Sequence, residues 1–111
     1  MIPFDELKAE IKKASFETVR AEDDIYFEAV FSKGNLGGLT KRLENIFGAP
    51  TWPSKNKLPA EIEKTIGDYG GIEKGQTLYF WHQEGRSVFA MLWPWQSGEQ
   101  VTLKVASVSQ S

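Results

Sequence analysis

The chain has 111 residues, 41% of them apolar and 25% charged, which is enough for one folded domain with its own core and too few for two. It contains no cysteine, so disulfides, thiol nucleophiles, iron–sulfur clusters and cysteine-bound zinc are all excluded, and a reducing compartment is expected. A net charge of −2 and an isoelectric point near 5.4 weigh against nucleic acid as a partner.

Residues 3–15 predict a helix. Pro3 suits its first turn, Asp5 and Glu6 the positive N-terminal end, and Lys12 and Lys13 the other end. Phe4, Leu7, Ile11 and Ala14 form an apolar stripe at spacings of three and four. The start of the chain lacks the basic and apolar regions of a signal peptide. No apolar run approaches the roughly 20 residues of a membrane helix. A soluble, cytoplasmic protein is therefore expected, with no membrane partner.

Residues 21–24 read as an acidic link, and residues 25–32 as a strand rich in aromatic and β-branched residues. After a turn at Lys33-Gly34-Asn35, a second helix is predicted over 36–47, with Leu36, Leu39, Leu43 and Ile46 as its stripe and Gly48 as its stop. Residues 49–58 form a loop, because Pro50 and Pro53 forbid helix around Trp52. Pro59 opens a short third helix with Ile62, Ile66 and Tyr69 inward, ended by Gly70-Gly71. Three strands follow, over 76–83, 86–95 and 99–106, joined by turns at Glu84-Gly85 and Ser97-Gly98. Connections this short imply an antiparallel meander. The order α-β-α-α-β-β-β predicts a two-layer α+β domain over 1–106, with a sheet of about four strands, three helices and a polar tail at 107–111.

Two-residue turns place His82 opposite Ser87, Phe80 opposite Phe89, and Leu78 opposite Met91. They also place Trp95 opposite Gln100, Trp93 opposite Thr102, and Met91 opposite Lys104. One face then carries Tyr79, Trp81, Val88, Ala90, Leu92, Val101, Leu103 and Val105, the natural floor of a core. The other carries Phe80, Phe89, Met91, Trp93 and Trp95, too many large apolar side chains to lie open to water. Either a helix covers them, with the first in the chain as one candidate, or another molecule does.

The residues that carry chemistry are sparse. His82 is the single histidine, and Ser87 beside it lacks an oxyanion hole and an acid to orient the ring. The carboxylate pairs, Asp5-Glu6, Asp23-Asp24 and Glu61 with Glu63, do not have calcium-loop spacing. The glycine-rich stretch 32–41 matches neither the phosphate loop nor the dinucleotide fingerprint. Asn35 as a helix cap, with Gly37 and Gly38 permitting close packing, accounts for it more simply than an anion site. Residues 29–57 hold five basic side chains (Lys33, Lys41, Arg42, Lys55, Lys57) against one acid, Glu44, a basic block readable as solvated charge.

These observations order three functions. The first is a non-enzymatic interaction module that self-associates or holds a protein through Phe80, Phe89, Met91, Trp93 and Trp95. The second is a small-molecule binder or weakly marked enzyme with a pocket near Trp52, His82 and Arg86. The third is single-stranded nucleic-acid binding through the basic middle segment. No cofactor and no metal are implied.

Overall fold

The computed structural model describes residues 3–53, 57–83 and 85–109. Helix α1 spans Phe4–Lys12, followed by strands β1 (Thr18–Glu22) and β2 (Tyr26–Ser32). A 3₁₀ turn over Lys33–Asn35 leads into α2 (Leu36–Phe47), and α3 spans Ala60–Gly67. Strands β3 (Thr77–Gln83), β4 (Arg86–Pro94) and β5 (Gln100–Ser109) complete the chain. The five strands form one open antiparallel sheet in the order β1-β2-β5-β4-β3. The α+β class, the meander and the cross-strand register all agree with the expectation from sequence, down to His82 opposite Ser87 and Trp93 opposite Thr102.

Five features differ. First, the sheet has a fifth strand, β1, where the sequence suggested part of an acidic link. Four of its five residues are exposed, and its pairing with β2 slips between Val19 and Ala21, so no alternation of apolar residues marks it. Second, helices lie on both faces of the sheet, and the one on the aromatic face is α3, not the first helix of the chain. Leu7 and Ile11 of α1 and Leu39 and Leu43 of α2 pack with Phe27, Phe31, Tyr79, Leu92 and Leu103. Ile66 of α3, with Leu58, packs on the opposite face with Leu78, Phe89, Met91 and Ala106. Third, β5 runs on through Ser109 and Ser107 is buried, so Ser107–Ser109 belong to the sheet and not to a tail. They pair with Arg86–Val88, which extends the ladder past the expected end. Gln110 and Ser111 lie outside the described residues.

Fourth, Asn35 does not cap α2 with its side chain, because the 3₁₀ turn feeds directly into the helix. Gly37 and Gly38 are exposed, and a Cβ on either would meet nothing within 4 Å, so neither serves close packing. Helix α1 also stops earlier than residue 15. The Ala14 N–H closes onto Ile11 O at 3.0 Å, a tightened last turn that frees Phe16 to pack edge-on against Phe31. No helix among the described residues is long and apolar enough to cross a membrane.

Candidate functional site

The aromatic face is covered mainly by α3 and the chain around it. Pro59 occupies the N-cap, Glu61 and Glu63 lie in the first turn, and Lys64 in the last, all matched to the helix dipole. The apolar stripe Ile62, Ile66 and Tyr69 joins the cluster containing Phe89 and Met91, both 0% exposed. The Tyr69 ring meets Phe89 edge-on at 5.3 Å and stacks on Tyr26 at 5.5 Å. Phe89 and Met91 are therefore core residues, and a partner reaches neither while α3 is in place. This corrects their reading as contact anchors. Phe80, Trp93 and Trp95 are half-buried.

Trp93 and Trp95 are engaged within the chain. The Lys104 ammonium sits 3.7 Å from the Trp93 ring centroid and donates to Tyr69 O at 3.2 Å. Trp95 Nε1 donates to Thr102 Oγ1 at 2.7 Å, and the Arg20 guanidinium lies 5.8 Å from the Trp95 ring. Arg20 also approaches Glu28 at 3.8 Å, while the Tyr26 hydroxyl donates to the other Glu28 oxygen at 2.6 Å. Burial, and then the Glu28 carboxylate, raise the Tyr26 hydroxyl far above its ordinary value. Burial likewise raises Tyr69, with Asp68 and Asp23 adding to it.

Trp52, His82 and Arg86 do not share a pocket. Trp52 packs in the α3-side cluster and bridges Leu78, four residues before His82 on β3. It is tucked against the sheet edge and not raised as a lid. Arg86 lies on the opposite face from His82, as its pairing with Gln83 beside the Ser87–His82 pair requires. Its guanidinium donates to Ser107 Oγ at 3.2 and 3.1 Å and to Ser107 O at 3.2 Å. Lys55 of the expected basic loop, and Glu84 of the hairpin turn, lie outside the described residues.

His82 does line a groove. A cavity of about 290 Å³ lies between α3 and β3–β4, bounded by Ile62, Phe80 and Ser87 and by Glu61, Thr65 and His82. A second, of about 790 Å³, continues past Lys64, Asp68, Tyr69 and Val108 and shares Glu61, Thr65 and His82 with the first. The polar wall comes from positions 61 and 65 of α3 and its C-cap Asp68, at spacings of four and three, one residue behind the apolar stripe 62, 66 and 69. Sequence reasoning found the apolar stripe and passed over its polar neighbour, although the same periodicity holds both.

His82 Nδ1 lies 3.2 Å from Ser87 Oγ. Ser87 is only 1% exposed and sits in the wall of the smaller cavity with the His82 ring against its hydroxyl. Among the described residues no group of three histidine, aspartate or glutamate side chains converges to hold a metal. No family model matches the chain, and neither a curated protein nor a solved structure does.

Proposed function

We propose that this domain is a ligand-binding module, with its site in the groove between α3 and the sheet at His82. The observation that carries the reading is the junction of the two cavities at Glu61, Thr65 and His82. Concave sites with an apolar wall and a few convergent polar groups are where small molecules bind. Here the ligand would be a small organic molecule. Its apolar part lies against Ile62 and Phe80, and its hydrogen-bonding part faces the Glu61 carboxylate, the His82 imidazole and the Thr65 hydroxyl, which donates to Glu61 O at 2.8 Å and so meets the ligand as an acceptor.

The test is a fragment screen by ligand-observed NMR on the whole chain, repeated on Thr65→Phe. Thr65 is half-buried and lines both cavities, so a phenyl group there fills the junction. Hits that bind the native chain and lose at least tenfold in affinity to the variant support the reading. Hits that bind both equally, or a screen without any hit, contradict it.

A further inference from the structure

The two edges of the sheet are built differently. On β1 the ladder is bulged and Lys8 and Lys12 of α1 reach Glu22, which blunts that edge with charge and irregularity. On β3 the ladder to β4 runs unbroken over Thr77–Gln83, with no bulge, lysine or proline. Part of this edge is already used. Leu78 O accepts from Thr51 N at 2.7 Å and Trp52 N at 3.2 Å, and Leu78 N donates to Trp52 O at 3.0 Å. These bonds point away from β4. Strand alternation therefore turns the main-chain groups of Phe80 and His82 the same way. Among the described residues neither makes a main-chain hydrogen bond on that side. Between them lies Trp81, a large apolar side chain, 37% exposed at the centre of the open stretch.

We propose that two copies of this chain pair antiparallel through β3, with Trp81 of each at the two-fold axis. The open stretch is its own complement. Phe80 faces His82 of the partner subunit, His82 faces the partner subunit's Phe80, and each pair exchanges both N–H···O bonds. Trp81 then falls at the non-hydrogen-bonded position, where facing side chains approach most closely, and packs on the partner's Trp81. The Thr51-Trp52 segment closes the edge at Leu78, and β3 itself ends at Gln83. Two sheets of five strands become one of ten. A contact this short is small beside a standard interface, so a weak, concentration-dependent dimer is expected. The inference stands on the strand edge and does not depend on the ligand groove, although Phe80 and His82 also line the smaller cavity.

The experiment is sedimentation velocity on the whole chain from about 5 to about 500 μM, with amide hydrogen exchange read at both ends of that range. Trp81→Lys is the disrupting variant, and Val19→Lys, exposed on the β1 edge, is the control. The expected result is a monomer–dimer equilibrium in the native chain and in Val19→Lys, with the Trp81→Lys dimer weakened at least tenfold. Exchange at the Phe80 and His82 amides should slow as concentration rises. A native chain that stays monomeric throughout overturns the proposal. So does a dimer that survives Trp81→Lys or is lost in Val19→Lys. If Trp81→Lys does not fold, exchange on the native chain decides alone, and a rate at Phe80 and His82 that ignores concentration overturns the proposal.

Discussion

At Gly70 the backbone has φ +103°, and a Cβ built there would lie 2.2 Å from the Trp93 ring. The position needs glycine twice over, for its conformation and for the close approach of the indole. Gly70→Ala is expected to cost about 1–3 kcal/mol from the backbone alone and to displace Trp93. Urea unfolding together with near-ultraviolet circular dichroism checks both effects. An unchanged midpoint and unchanged aromatic spectrum would contradict the packing described. Tyr26 gives a second single-residue test. Its hydroxyl is raised by burial and by Glu28, so the neutral form is the one the fold holds. Below its ordinary value of 10.0 that stabilisation is fully present, and as pH rises further the unfolded chain ionises first and stability falls. Tyr26→Phe should lessen the alkaline loss without removing it, because Tyr69 and Tyr79 are raised by burial too. Urea midpoints measured on either side of pH 10.0 read the difference.

The element that decides the character of the aromatic face is α3. With α3 seated, Phe89 is core and Trp95 is a half-buried rim residue held by one hydrogen bond to Thr102. Phe89→Ala should therefore cost about 3–5 kcal/mol. Trp95→Ser should cost less than half as much, and chemical denaturation of the two variants measures the contrast. Comparable losses would mean that α3 does not cover the face as described. The register of this face was legible from sequence because two short glycine turns fix which residues oppose one another, and Gly85 and Gly98 do adopt positive φ. The helix that covers it was not. Apolar stripes on residues 4–14 and 60–69 are equally able to bury, and nothing local in either states which face of the sheet it meets. Strand β1 escaped for another reason. An exposed, bulged edge strand has no buried side to alternate, so Thr18 and Val19 alone carried its signal. The groove was half legible. His82 was singled out and Glu61 was weighed only as half of a carboxylate pair with Glu63, while Thr65 and Asp68 were not named, because a polar helix face resembles any solvated one until a sheet end is set beside it.

As a whole, the described chain has a Cα radius of gyration of 13.1 Å, close to the ~13 Å of a compact domain near this length. Apolar clusters on both faces make the sheet its middle layer, and surface ion pairs gather around Glu10, Glu22 and Glu28. The Lys13 ammonium and Arg42 hold the Glu10 carboxyl below its ordinary range, and Lys12 and Lys8 do the same for Glu22. A concavity lies where α3 meets the β3–β5 end, apart from another of about 400 Å³ between α1 and α2, and the central functional claim is that a small molecule occupies the first. His82 is the only histidine, so its imidazole is a single reporter inside the groove. The most direct test follows that imidazole resonance by ¹H–¹³C NMR as a fragment hit is titrated in, alongside the Thr65 and Ile62 methyl signals. A binder at this site should move all three saturably with one shared dissociation constant, while methyls of the opposite core, such as those of Leu39 and Leu43, stay still. Saturable shifts elsewhere with an unmoved His82 would contradict the account.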